Sequence, residues 1–186
     1  MTDKETAILD AALQLISRRG FHDAPTSAIA REAGVGVGTI YRYFENKEAL
    51  IVELYVRLKA QMAEAMLAGY SADLPLRQRF RCLWLNAAHY YIGHPLETSF
   101  MEQYASSPFL KSETSASHAE YLRPVLDFVE DGVYEGILKD LPLAIFLSLT
   151  LDVALSLAEK HRDGVIMLDA AALERAMDAC WDAVKR

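Results

Sequence analysis

Residues 26–45 read TSAIAREAGVGVGTIYRYFE, and the spacing within this stretch decides the fold of the first part of the chain. Ala30, Gly34 and Ile40 occupy the three positions on which a helix-turn-helix depends. A small residue lets two helices cross closely, a glycine adopts the left-handed turn between them, and an aliphatic residue packs the second helix onto the first. The stretch therefore predicts a helix-turn-helix whose second helix covers about 37–43.

The second helix of this motif carries polar and aromatic side chains opposite its core contacts. At about 100° per residue, Ile40 and Phe44 share its inward face. The opposite face and its two flanks then consist of Gly38, Thr39, Arg42, Tyr41 and Tyr43. Glycine permits close approach to the floor of the DNA major groove, threonine offers a hydroxyl or methyl group to a base edge, and arginine can bind guanine through two hydrogen bonds. This face predicts contact with DNA, with the tyrosine hydroxyls meeting phosphates.

The neighbouring helix starts supply further candidates for phosphate contact. Thr26 is predicted as the N-cap of the first helix of the motif, and Lys47 stands at the start of the following helix, which Asn46 is predicted to cap. Hydroxyl and ammonium donors at helix N-termini suit phosphate, because the dipole there favours negative charge.

The rest of the chain predicts helices separated by glycine and proline. A first helix at about 3–19 precedes the motif, a connecting helix follows at 47–67, and a break at 69–75 separates it from further helical segments. These segments are 76–92, 96–106, 113–136, 141–161 and 169–185, with Pro124 predicted to kink or break the third. We therefore predict an all-α fold with a three-helix DNA-binding head at 1–47 and a larger helical body for ligand binding and dimerisation at 68–186.

Composition and charge agree with a globular protein that acts in the cytoplasm. The chain has 186 residues, of which 52% are hydrophobic and 24% charged, and its polar start lacks the apolar core of a signal peptide. Residues 1–60 hold eight basic and eight acidic residues, so the net charge of −7 lies in the remainder. The most apolar run, 141–158, is shorter than the ~20 residues of a membrane span and contains Asp152. We expect no membrane association.

The chain closely resembles the head of TetR-type (tetracycline-repressor-like) transcriptional regulators from Thr26 onward. The resemblance is carried by AGV at 33–35, VGTIYRYF at 37–44 and ENKEAL at 45–50. The resemblance is specific over residues 7–55, and beyond them it extends to length, helix count and a last pair of apolar helices. It implies a repressor that binds a DNA operator as a homodimer. It also implies DNA contacts from Thr26, Ser27, Gly36, Val37, Gly38, Thr39, Tyr41, Tyr43 and Lys47.

The middle helices are rich in aromatic residues that suit an effector site. Each of these residues alone is more typical of a core, but together they favour a mainly apolar cavity between helices, the usual form of a small-molecule site. The candidate ligand-binding residues are Trp84, Phe100, Tyr104 and Tyr121. Arg77, Arg79 and Arg81 are expected on a solvated or inter-domain face. The predicted effector is a small, mostly apolar molecule.

The last two segments predict the homodimer interface. Residues 141–158 are apolar nearly all round, and the final helix carries an apolar stripe. A single body of this size can cover one of these two apolar surfaces more easily than both. A symmetric interface of 141–161 and 169–185 would cover the other, and it would let two heads read the two halves of a palindromic operator. The alternative is that 141–158 is fully internal.

Two other classes of function remain open from the sequence. One is a helical enzyme with a vestigial head, and the other is a protein-interaction module whose helix-turn-helix does not bind DNA. The body shows apolar and aromatic stripes where an enzyme would need a titratable cluster. Its histidines and its two cysteines match no metal spacing. We therefore predict no catalytic residues, no metal and no cofactor.

Overall fold

The computed structural model describes residues 3–107 and 115–186, with residues 115–122 described by their backbone alone. The helices are α1 (Asp3–Arg19), α2 (Thr26–Glu32), α3 (Val37–Tyr43), α4 (Lys47–Met66), α5 (Leu76–Gly93), α6 (Pro95–Ala105), α7 (Ser115–Tyr134), α8 (Leu143–Leu149), α9 (Leu151–Arg162) and α10 (Ala170–Val184). Within the described part, the one extended pairing is an isolated bridge between Leu138 and Lys185. The predicted all-α fold is confirmed. No helix of the described chain is long and apolar enough to cross a membrane.

The helices form two compact units that are discontinuous in sequence. The first consists of Met1–Ala60 and Pro95–Ser115, and the second of Gln61–His94 and Ala116–Arg186. Helix α4 runs from one unit into the other, whereas α6 groups with the N-terminal helices. The boundaries 1–47 and 68–186 remain a prediction about function, and the packing divides the chain differently.

The first unit is organised around α1. This helix buries residues at helical spacing, and the buried face packs on α2, α3 and α6. The buried residues are Ile8, Leu9, Ala11, Ala12, Leu13, Leu15 and Ile16. The helix ends at Gly20, whose φ of +79° lies in the left-handed region that favours glycine. The start and end predicted from the sequence agree with this helix.

The second unit is organised around α5, which packs on α9 and α10. Its apolar face is buried, and the ring of Phe80 lies 5.3 Å from that of Trp181 on α10. Outside this contact, Arg77 pairs with Asp178 at 2.5 Å, and Arg81 pairs with Glu174. These exposed ion pairs join α5 to α10 along the edge of their packed faces.

The expectation of a solvated face was wrong for Arg79, which is 4% exposed. Its Nε donates to the hydroxyl of Tyr70 at 2.9 Å, and its Nη2 donates to Asp131 at 2.8 Å. Its guanidinium also lies 5.5 Å from the ring centre of Phe128. A buried guanidinium needs such partners, and here they come from two other elements of the second unit.

Three local expectations about helix ends and breaks need correction. Thr26 is not the N-cap of α2, because Pro25 takes that position and makes no side-chain cap bond. Pro124 does not break α7, which is continuous from Ser115 to Tyr134; the alternative of a kink at Pro124 stays a prediction. The segment 141–161 is instead divided at Thr150, whose φ of −129° and ψ of −81° end α8 before α9 begins. The predicted caps at Asn46 and Asp169 are confirmed by bonds from the backbone N–H of Ala49 and Ala172.

Candidate nucleic-acid interface

The helix-turn-helix has the geometry that its spacing predicts. Gly34 has a φ of +66°, in the left-handed region, and the N–H of Val35 donates to the carbonyl of Ala30 at 2.9 Å across the turn. Ala30 and Ile40 are both buried, where they join α2 to α3. Any residue with a Cβ would be strained at Gly34, which explains why glycine stands at this turn.

The face of α3 opposite Ile40 is exposed and holds the predicted DNA contacts together. Tyr41 is 52% exposed and Tyr43 is 38% exposed, on either side of an exposed Arg42. Among the residues that the structure describes, Arg42 forms no hydrogen bond or ion pair. Five donors on a planar guanidinium are therefore available to a partner outside the chain.

The turn before α3 presents backbone and small side chains. Gly36, Val37 and Gly38 are exposed, and Thr39 is half-buried. A Cβ at Gly38 would meet no atom within 4 Å, so the space above this residue is open. Ser27 is exposed and Thr26 half-buried in the first turn of α2. The structure thus brings all of these predicted contacts to the helix-turn-helix; their binding to DNA remains a prediction.

Lys47 differs from Arg42 because its side chain is engaged within the protein. Its Nζ donates to the carbonyl of Phe21, in the loop after α1. Burial lowers the pKa of this ammonium, and the negative charge of Glu48 opposes that effect. An ammonium has three donors, so a phosphate contact would use those that Phe21 leaves.

The predicted effector residues fall into different surroundings. Phe100 and Tyr104 lie in the first unit, where the Phe100 ring lies 5.8 Å from Phe21 and the Tyr104 ring stacks on Tyr55 at 3.9 Å. Trp84 belongs to the second unit. The side chain of Tyr121 lies outside the described residues. The structure therefore brings Phe100 and Tyr104 together and gives Trp84 other neighbours.

Helix α6 is fixed to α1 by polar bonds as well as by these rings. The hydroxyl of Ser17 donates to the carbonyl of Leu96 at 2.8 Å. In return, Nε2 of Gln103 donates to the carbonyl of Ser17 at 3.3 Å. We call Ser17, Leu96 and Gln103 the α1–α6 clasp.

Trp84 borders a small apolar cavity within the second unit, and sequence reasoning found only part of its wall. The lining residues are Phe80, Leu83, Trp84, Val125, Phe128, Phe146, Thr150 and Leu151. On α5 and α7 they recur at intervals of three or four residues, which was the signal available in the sequence. The others are Phe146 on α8 and Thr150 and Leu151 at the start of α9. The described residues contain no group of three or more potential metal ligands.

Two family models match the chain along most of its length. Residues 8–54 match the model described as bacterial regulatory proteins of the tetR family. Residues 75–185 match the model described as the C-terminal domain of tetracyclin repressor-like proteins. The first contains the helix-turn-helix, and the second contains α5 to α10.

Individual proteins resemble the chain over its whole length or over about a third of it. A solved structure from Vibrio parahaemolyticus, assigned to the TetR family of transcriptional regulators, has a TM-score of 0.84 and 34% identity, covering 97% of this chain and 98% of that one. An uncharacterized HTH-type transcriptional regulator of Haemophilus influenzae is 26% identical over 185 residues, 100% of this chain and 97% of that protein. The fatty acid metabolism regulator protein of Bacillus subtilis is 43% identical over 63 residues, 34% of this chain and 32% of that protein.

Proposed function

Because the chain belongs to the tetracycline-repressor-like (TetR) family of bacterial transcriptional regulators, we propose that it is a repressor that binds a palindromic operator as a homodimer and leaves it when an effector binds. The family and these relatives are regulators of transcription, not enzymes. The observation that carries the proposal is the exposed face of α3, where Arg42 stands between two exposed tyrosines.

In this proposal α3 lies in the major groove of DNA. Arg42 binds a guanine through two hydrogen bonds, which is the commonest base-specific contact of arginine. Tyr41 and Tyr43 bind phosphates on the two walls of the groove, and such contacts orient a protein without reading sequence. Gly38 lets the helix backbone approach the bases, since nothing lies over it.

The proposed homodimer uses the outer surface of α8, α9 and α10. Ile145 and Leu149, one turn apart on α8, are 48% and 38% exposed. Apolar side chains that stand open at helical spacing favour a partner helix, and a symmetric pair covers the same face on both copies. Two heads then reach half-sites about one turn of DNA, ~34 Å, apart.

Coupling between effector and DNA is proposed to run through α5 and α6. Helix α5 lines the cavity beside Trp84, and α6 begins two residues after α5 ends and holds α1 through the clasp. An effector that prefers a different arrangement of α5 would alter the position of α6 and of the head. By linkage, operator binding must weaken effector binding by the same factor.

The proposed effector is a small, mostly apolar molecule, as the cavity lining favours. The sequence likeness to the fatty acid metabolism regulator extends over 63 residues, 34% of this chain. A likeness over a third of the chain carries no argument about the effector.

The test is binding to promoter fragments that flank the protein's own gene, measured by fluorescence anisotropy. We expect the wild type to bind one fragment far more tightly than random DNA, and Arg42→Ala to lose that preference. Arg19→Ala, an exposed arginine at the end of α1, is the matched control and should bind as the wild type does. Equal affinity of the wild type for all fragments would contradict sequence-specific binding.

A further inference from the structure

The cavity beside Trp84 is too small for an organic effector. Its volume is about 10 Å³, roughly the room that one water molecule needs. A cavity that binds benzene has a volume of about 150 Å³. A side chain of the wall must therefore leave before any effector of the proposed kind can enter.

Trp84 is the largest side chain of the wall, and the carbonyl that accepts its indole hydrogen bond has a second donor. Its Nε1 donates to the carbonyl of Thr150 at 3.1 Å. That carbonyl also accepts from the N–H of Ala154 at 3.2 Å, so it keeps a partner when the indole leaves. The displaced indole N–H can bond to water. The Thr150 carbonyl is thus satisfied in both arrangements.

Phe128 is the most buried ring of the wall after Trp84, and three side chains contact it. Its ring lies 6.1 Å from that of Phe80 and 6.3 Å from that of Phe146. The guanidinium of Arg79 lies 5.5 Å from its centre and is itself bonded to Asp131. Moving Phe128 would disturb this buried charge, whereas moving Trp84 would not.

We propose that Trp84 occupies the effector site of the free protein, and that an effector binds by displacing the indole and donating a hydrogen bond to the Thr150 carbonyl in its place. The inference rests on the proposed function, because it assumes that the second unit binds an effector. Trp84 thus competes with the effector for the site. The measured association constant equals the intrinsic one multiplied by the fraction of molecules in which the indole has left the site.

The wall also defines the chemical class of the effector. No residue that lines the cavity carries an ionisable side chain. The hydroxyl of Thr150 is already committed to the carbonyl of Phe146 at 2.7 Å. A charged effector would lose its hydration without compensation there. The site therefore favours an apolar body with one neutral donor, such as a hydroxyl or an amide N–H.

Displacement of the indole by an effector would also act on the break between α8 and α9. At this break, the indole of Trp84 donates to the carbonyl of Thr150, and the hydroxyl of Thr150 donates to the carbonyl of Phe146. Ile145 and Leu149 lie on α8 just before the break. Loss of the indole bond removes one of the contacts that hold the break. An effector would in this way change the direction of the α8 surface that we assign to the dimer.

The first experiment uses n-decanol, a neutral apolar molecule with one donor that does not absorb where tryptophan does. In a Trp181→Phe variant, Trp84 is the one remaining tryptophan. We expect its fluorescence to be shielded from acrylamide in the free protein, and to become quenchable and red-shifted as decanol binds. Decanol binding, followed independently by thermal shift, with Trp84 still shielded would overturn the proposal.

The second experiment measures the affinity for decanol in a matched pair of variants. Trp84→Leu removes the competitor and should bind decanol at least about tenfold more tightly than the wild type. Trp181→Leu makes the same change at a buried tryptophan outside the cavity wall and should leave the affinity unchanged. Equal affinity of both variants, or absence of binding to either, would overturn the proposal. Both measurements need no DNA, so a failure to bind an operator would refute the proposed function and leave this result standing.

Discussion

Replacement of Gly132 by alanine tests whether close packing or helix propensity decides stability at the end of α7. In an open helix, alanine in place of glycine stabilises by about 0.5–1 kcal/mol, because it loses less backbone entropy on folding. At Gly132, however, a Cβ would lie 2.6 Å from Cγ of Leu138 and 2.8 Å from Cδ2 of Leu76. Both leucines are buried, and adding a carbon to a filled core costs about 1–3 kcal/mol. We therefore expect Gly132→Ala to lower the free energy of unfolding by roughly 1–2 kcal/mol.

The assay is urea unfolding followed by circular dichroism, with the midpoint of thermal unfolding as a second measure. A loss of this size should lower the thermal midpoint by about 2–8 °C in a chain of this length. Gly93→Ala is the control, because a Cβ at the end of α5 would meet no atom within 4 Å, and it should be neutral or slightly stabilising. Protein concentration is held constant, since dimerisation would shift both midpoints. A Gly132→Ala protein as stable as the wild type would refute the packing argument.

Three further substitutions test the head and the dimer surface. Arg42→Ala should cost about 1–3 kcal/mol of binding and relax the preference at one base pair of each half-site, as measured with single-base operator variants; an unchanged preference would show that another residue reads that base. Lys47→Ala should weaken binding to all sequences about equally and reduce the salt dependence by about one charge. Because Lys47 also bonds to the Phe21 carbonyl, the thermal midpoint of the Lys47→Ala variant is measured as a control. An unchanged salt dependence of DNA binding would contradict a phosphate contact. Leu149→Glu should shift the mass found by light scattering from two chains towards one; an intact dimer would place the interface elsewhere.

The helix-turn-helix could be predicted because its determinants are local. Gly34, with its left-handed turn, and Ile40, with its buried position, lie within a stretch of some twenty residues whose spacing carries the whole geometry. The ends of α1 and the caps at Asn46 and Asp169 follow from side chains within three residues of the bonds that they make. Information of this kind is present in the order of residues itself.

The features that sequence reasoning missed depend on partners far away in the chain. The break at Thr150 contains no glycine or proline, and the indole bonded there comes from Trp84 on another helix. Arg79 was expected to be exposed like Arg77 and Arg81. The side chains that accept its hydrogen bonds, Tyr70 and Asp131, lie 9 and 52 positions away in the sequence. An apolar stripe likewise shows that a helix is buried without showing against what. The aromatic residues of α6 were for that reason assigned to the body, whereas they pack with Phe21 in the loop after α1 and with Tyr55 on α4.

The attachment of α6 to α1 bears on how such regulators can be recombined. Consider a chimaera in which one relative's head is joined to another's body at a single point after α4. Ser17 would then come from one protein, and Leu96 and Gln103 from the other. The rings that pack against Phe21 and Tyr55 would also come from the other protein. The DNA-reading module is two segments of chain, and an exchange that keeps it intact must carry residues 95–105 together with the N-terminal helices. Hybrids built in that way should keep the operator preference of the donor, whereas single-junction hybrids should lose solubility before they lose specificity.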